Sequence, residues 1–380
     1  MNKTIHWDIF CRVVDNYGDI GVCWRLARQL SREYDLTVRL WVDDLISFQR
    51  IQADICTDLP VQVCADVEVR HWCEPLPDVE PADVVIEAFA CDLPASYIAA
   101  MKADPRDRVW LNLEYLSAED WVQGCHGLPS PAQGLPKFFF FPGFVDGTGG
   151  LLGEQAQLYA KAAWSQADSD AYLGQWQAVQ ANSIKVSLFA YANQGLADLL
   201  SCWQQSERPV QVYMPEGLLL PLAEAALGQA LPAGATICRG ALSLSVLPMQ
   251  SQDDYDRLLW SCDLNFVRGE DSFVRAQWAG LPLIWHIYPQ DDDAHRAKLD
   301  AFLALYLAAC PGKSAQVFND FWQVWNHGGD VKAAWHKLLP EILALKSHAA
   351  AWNENLIKRG DLATNLVRFV NSKVKWRVKF

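Results

Sequence analysis

The chain has 380 residues, 51% of them hydrophobic and 20% charged, enough apolar material for two packed cores and too much for disorder. Its net charge of −13 argues against a protein that coats nucleic acid, which needs a concentrated basic face. The eleven cysteines are scattered singly without a Cys-x-x-Cys pair, no run approaches a membrane span, and no secretory layout opens the chain, so the expectation is a reduced, soluble, cytoplasmic protein.

In chain order, Ile5–Val14 is rich in β-branched and aromatic residues and short enough for a buried strand. From Asp19 the pattern turns helical, with Ile20, Cys23, Trp24, Ala27 and Leu30 on one stripe. Strand signals recur at Leu36–Val42, Asp83–Phe89 and Arg108–Leu113. Glycines and prolines then crowd Gly124–Gly153 around the aromatic run Phe138–Phe141, which predicts a loop region closing a first domain. Helical sequence is expected from Glu154 to about Gln180.

A second alternation follows, with strands at Ile184–Tyr191, Val210–Met214, Ala241–Pro248, Leu264–Arg268 and Pro282–His286. Helices are predicted at Leu196–Gln205, Glu216–Ala230, Asp253–Ser261 and Asp271–Ala279, the last stopped by Gly280 and Pro282. A long Trp-containing helical region leads to the C-terminus. The short basic run Lys373–Lys379 reads as a solvated end or a strap. The fold class is therefore α/β, two Rossmann-like domains facing across a cleft, with boundaries at 1–153, 154–355 and a tail 356–380.

Two short loops join a strand to a helix, where ligands bind in such sheets. In Arg268-Gly269-Glu270-Asp271-Ser272 the free N–H groups of a helix start and an arginine suit a phosphate. An ordinary helix capped by Asp271 or Ser272, with Arg268 paired to an acid, fits the same residues. In Asp15-Asn16-Tyr17-Gly18-Asp19 two carboxylates would repel phosphate but suit a cationic acceptor or a proton to be abstracted. Asp19 capping its helix, with Asp15 bracing the Gly18 turn, fits equally. Phe189, Tyr191 and Gln252 are candidates for holding a nucleobase, or for packing and capping; Tyr288 ends a strand region of the second half. The eight histidines lack metal-ligand spacing, and P-loop, Gly-x-Ser-x-Gly and Gly-x-Gly-x-x-Gly motifs are absent.

Taken together, these stretches resemble the arginine rhamnosyltransferases that modify translation elongation factor P. The resemblance spans essentially the whole chain. It is carried by Ile9-Phe10-Cys11, Asp15–Gly21, Trp24–Arg28, Glu87–Pro94, Leu111–Glu119, Arg268–Gln277 and Trp285–Asp291. It implies a B-type glycosyltransferase (GT-B) fold whose tail crosses back to the first domain. The implied reaction moves L-rhamnose from dTDP-β-L-rhamnose to an arginine of elongation factor P, with inversion and without metal or other cofactor. By position, Asp19 matches the general base, Asp15 its companion acid and Glu270 an activity-essential acid. Arg268, Gly269, Asp271 and Ser272 match the diphosphate loop; Phe189, Tyr191, Gln252 and Tyr288 match the donor pocket. The stretch Leu247–Ser251 departs from that family's pattern for thymine recognition. Another nucleotide-sugar or acceptor on the same fold, or a non-catalytic nucleotide- or protein-binding module, are the alternatives.

Overall fold

The computed structural model describes residues 5–14, 17–132, 134–290 and 293–374. They divide into two compact units: residues up to Gln155 together with those from Leu356 onward, and Ala156–Asn355.

The first unit runs β1 (His6–Cys11), α1 (Gly18–Tyr34), β2 (Thr37–Val42), α2 (Leu45–Ile51), β3 (Val61–Cys64), β4 (Val67–His71), β5 (Val84–Ala88) and α3 (Ala95–Ala103), then β6 (Val109–Leu113), α4 (Trp121–Cys125), β7 (Pro129–Ala132) and β8 (Leu135–Phe140). The strands form one sheet ordered β3-β4-β2-β1-β5-β6-β8-β7, parallel except for the antiparallel edge pairs β3·β4 and β7·β8. The chain reverses its direction of travel across the sheet between β1 and β5, so the crevice beyond their carboxyl ends is the switch point where such sheets bind ligands. Every residue of β5 is buried, as a strand covered on both faces requires. Its single charge, Glu87, meets the Lys137 ammonium at 3.2 Å.

The expected loop over Gly124–Gly153 is instead partly a hairpin. β8 extends the sheet beside β6, and Phe138 and Phe140 pack edge-on against Phe369. Phe369 belongs to α15 (Leu362–Lys373), whose apolar stripe of Leu362, Leu366, Val367 and Val370 is buried. The glycines and prolines hid a strand that pairs with β6 and packs its aromatic side chains on α15.

The second unit runs α5 (Gln155–Ala163), α6 (Gln166–Leu173), β9 (Ile184–Leu188), α7 (Leu196–Gln204), β10 (Val210–Pro215), α8 (Leu220–Leu227), β11 (Thr236–Arg239), β12 (Leu242–Leu247), α9 (Gln252–Ser261), β13 (Leu264–Arg268), α10 (Asp271–Ala279) and β14 (Leu283–His286). Helices α11 (Ala294–Leu307), α12 (Gly312–His327), α13 (Val331–Leu338) and α14 (Ile342–Arg359) follow, α14 continuing past the boundary between the units. The sheet order is β11-β12-β10-β9-β13-β14, with only β11 antiparallel, and its switch point lies between β9 and β13. The helical sequence expected after Glu154 forms two helices, because Ser165 and Asp168 make a reciprocal capping box that starts α6. Ring contacts of Phe266 with Trp203, Phe321 and Trp325 join the sheet to α7 and α12.

Cys11, Cys23, Cys91, Cys202 and Cys262 are buried, where a free thiol packs as a small hydrophobe, while Cys310 is only half-buried. Among the described residues no helix is long and apolar enough to cross a membrane.

Candidate active site residues in the two units

Each unit places its described candidate residues beyond the carboxyl ends of its own strands, most of them beside its own switch point. In the first unit the focus is Asp19. It is not the helix cap: α1 starts at Gly18 with Tyr17 in the cap position and no side-chain capping bond, so Asp19 sits in the first turn. There its charge lies at the positive end of the helix dipole. The side chain is 2% exposed. Its carboxylate accepts the Val14 amide at 2.8 Å and the Tyr115 hydroxyl at 3.2 Å. One carboxylate oxygen is thus tied to the end of the loop after β1, the other to the segment after β6. Asp15 lies outside the described residues.

In the second unit the focus is Arg268, the last residue of β13. Gly269 turns the chain with φ +58°, the left-handed region that a side chain disfavours. Its carbonyl accepts the Trp285 indole N–H at 2.8 Å, which fastens the turn to β14. Glu270 takes the cap position of α10 without a side-chain capping bond and is half-buried. Ser272 closes the loop: its hydroxyl accepts the Arg268 amide at 3.0 Å and donates to the Arg268 carbonyl. Neither Asp271 nor Ser272 caps the helix, contrary to expectation. The Asp271 carboxylate turns sideways instead, to Arg275 Nε at 2.9 Å and Gln252 Nε2 at 3.2 Å. Arg275 also pairs with buried Asp256 at 2.7 Å, so α9 and α10 are joined by a charged network into which Gln252 is drawn.

The Arg268 guanidinium stands 4.4 Å from the centre of the Phe189 ring and 5.0 Å from that of Tyr191. Phe189 and Tyr191 follow β9, the strand across the switch point, and Tyr288 packs edge-on against Tyr191 with ring centres 5.5 Å apart. Among the described residues no carboxylate pairs with Arg268, and its buried Nη1 has no hydrogen-bond partner. A cation held by aromatic faces beside the amino end of a helix, with donor capacity unspent, is the chemistry of an anion site. Tyr288 is about half exposed, leaving an aromatic surface open beside that cation.

His286, at the end of β14, packs edge-on against Tyr191. Burial, and then the positive charge of Arg268, push its pKa down to about 4. The neutral imidazole therefore adds no charge of its own to the pocket at neutral pH. With the folded value below the unfolded one, near 6.5, the unfolded chain binds more protons between these values. Stability present above pH 6.5 is expected to fall as pH drops toward 4, and His286→Phe to reduce that slope in urea titrations at stepped pH. Gly269→Ala is expected to cost about 1–2 kcal/mol, because a Cβ disfavours the left-handed turn; the urea midpoint should fall at unchanged slope.

Sequence reasoning left three neighbours without a role: Tyr115 on Asp19, His286 beside Arg268, and Trp285 bracing Gly269. All three lie within the motifs quoted for the family resemblance, but no local spacing distinguishes them from packing residues. Among the described residues no three His, Cys, Asp or Glu side chains gather as metal ligands would.

Residues 7–371 match the family model described as Elongation-Factor P (EF-P) rhamnosyltransferase EarP. A protein-arginine rhamnosyltransferase of Pseudomonas putida is 49% identical over 373 residues, covering 97% of this chain and 99% of the relative. One of Pseudomonas aeruginosa is also 49% identical, covering 96% and 98%. A solved structure reported as the structural basis for EarP-mediated arginine glycosylation of translation elongation factor EF-P is 36% identical, with a TM-score of 0.70 and coverage of 97% and 99%. The crystal structure of Acinetobacter baumannii MurG, 12% identical with a TM-score of 0.52, covers 97% of this chain and shares the fold alone.

Proposed function

The chain belongs to the elongation factor P rhamnosyltransferase family, glycosyltransferases of the GT-B fold that transfer rhamnose to arginine, and from that premise we infer that its donor is dTDP-β-L-rhamnose, its acceptor an arginine of elongation factor P, and its course inversion at the anomeric carbon. The unpaired Arg268 guanidinium carries the donor half of this reading. It offers charge and hydrogen-bond donors to the diphosphate, with Phe189, Tyr191 and Tyr288 supplying aromatic surface for the rest of the nucleotide-sugar. Gly269 lets the chain turn into α10 so that the first free N–H groups of the helix can join Arg268.

On the acceptor side, a guanidinium is cationic at every physiological pH and a poor nucleophile while its charge is delocalised. A carboxylate beside it localises that charge and orients one nitrogen. As that nitrogen bonds to the anomeric carbon, the bond from carbon to the diphosphate oxygen breaks. Its electron pair leaves with dTDP, and the nitrogen's proton passes to Asp19. Charge growing on the departing diphosphate is stabilised by Arg268 and the loop amides. Asp15 would be the second carboxylate at the guanidinium, and Glu270 an acid of the sugar-nucleotide half. Asp271 and Gln252, joined to each other, would hold the start of α10 beneath the diphosphate.

Purified protein mixed with elongation factor P and dTDP-β-L-rhamnose tests this directly. Intact mass should show one added rhamnose, localised to an arginine by peptide fragmentation. No gain with active components, or equal transfer from a UDP-sugar, would contradict the assigned donor and acceptor.

A further inference from the structure

We propose that Tyr115 is a positioning residue for Asp19, and that a strained turn after β5 serves to hold the Tyr115 ring in place. The inference rests on Asp19 being the base. The geometry lies wholly within the first unit. Tyr115 donates its hydroxyl proton to Asp19 Oδ1 at 3.2 Å. Its ring is stacked on Phe89, with centres 4.4 Å apart and planes inclined by 18°. Phe89 and Ala90 are consecutive non-glycine residues in the left-handed region, at φ +56° and +53°. That conformation is costly for residues with side chains and persists only where surrounding contacts enforce it.

Those contacts are present. The Phe89 amide donates to the Leu113 carbonyl at 2.7 Å, and the Ala90 amide to Asn112 Oδ1 at 3.1 Å. Asn112 is 2% exposed, and its own amide donates to Glu114 Oε1 at 2.5 Å. The end of β6 therefore imposes the turn that follows β5. The turn presents the Phe89 ring, the ring supports Tyr115, and the Tyr115 hydroxyl fixes one oxygen of Asp19. The Val14 amide at 2.8 Å fixes the other oxygen, so the carboxylate plane is set from both sides. A proton acceptor held in this way does not spend part of each encounter in unproductive orientations.

The test compares Tyr115→Phe, Phe89→Ala and the double variant under steady-state conditions, with dTDP-β-L-rhamnose and elongation factor P as substrates. Tyr115→Phe should lower kcat by about 10- to 100-fold, the range for a lost hydrogen bond to a charged group. KM for either substrate should change by less than about twofold, since uniform binding is untouched. Phe89→Ala should lower kcat in the parent but add little in the Tyr115→Phe background, because the hydroxyl it supports is already gone. Unchanged kcat in Tyr115→Phe would overturn the inference. So would a rise in KM for elongation factor P at constant kcat, which would make Tyr115 an acceptor contact. Equal multiplicative losses for Phe89→Ala in both backgrounds would overturn the part assigned to the turn. Asp19→Asn measured alongside separates the two levels: retained turnover there removes the base itself, whereas its loss with a silent Tyr115→Phe removes only the positioning role.

Discussion

Asp19→Asn is expected to lower kcat by about 10²–10⁴-fold, the range for a positioned general base, with little change in KM for the donor. The substitution keeps the shape of the side chain. Its amide oxygen can still accept the Val14 amide or the Tyr115 hydroxyl, the contacts that fix the carboxylate at 2.8 and 3.2 Å. Asp19 also lies inside the first turn of α1 and is not its cap residue. Folding should therefore survive, with a thermal midpoint close to the parent's, while proton acceptance does not. The pair of measurements decides between catalysis and structure. A variant that melts far earlier, yet turns over normally when folded, would make Asp19 a helix-stabilising acid and nothing more.

Arg268→Ala is expected to weaken dTDP binding by about 10- to 100-fold, as loss of a charge-assisted hydrogen bond does. Its effect on the ligand-free protein should be small, and here the sign is informative. An arginine paired with a buried acid strands a charge when removed and costs several kcal/mol. Arg268 has no such partner among the described residues; it rests on Phe189 and Tyr191 with a buried, unsatisfied Nη1. Its removal forfeits two cation–π contacts but also the burden of a desolvated cation, and the two largely offset. Calorimetric titration with dTDP and urea unfolding of the ligand-free variant measure the two halves. Strong destabilisation with undiminished dTDP affinity would place Arg268 in the framework rather than at the diphosphate.

The division of the chain into two α/β halves was legible because period and punctuation agree in the elements that matter most. The apolar run Leu264–Val267, the glycine at 269 and the stop at Gly280 define β13, its turn and α10 with little dependence on tertiary context. The same holds for β1 and the stripe that begins at Ile20. The hairpin β7–β8 was not legible, because its prolines and glycines read as loop while its strand character comes from pairing with β6 and packing on α15. The short edge strands β3 and β11, and β4 next to the edge, likewise depend on a neighbouring strand rather than on their own pattern.

In the site, residue types and loop positions pointed to residues that the fold brings to the ends of strands, but roles that depend on long-range geometry did not show. Sequence made Asp19, Asp271 and Ser272 equally good caps, whereas the folded chain gives that position to Tyr17 in one loop and Glu270 in the other. It could not tell that Asp271 would turn to Arg275 and Gln252, or that among the described residues no carboxylate would pair with Arg268. Nor could it connect Tyr115 to Asp19 across 96 residues of chain. Such contacts are set by where strands end in the sheet, which no local pattern encodes.

The central claim is that Asp19 takes a proton while the arginine nitrogen displaces dTDP in one step, rather than attacking the sugar itself. The anomeric configuration of the product decides this most directly. The one-bond carbon–hydrogen coupling at the anomeric carbon, measured by NMR on rhamnosylated peptide from elongation factor P, should report an α-linked rhamnose, inverted from the β-linked donor. A β-linked product would require two displacements through a covalent intermediate and would contradict the role assigned to Asp19.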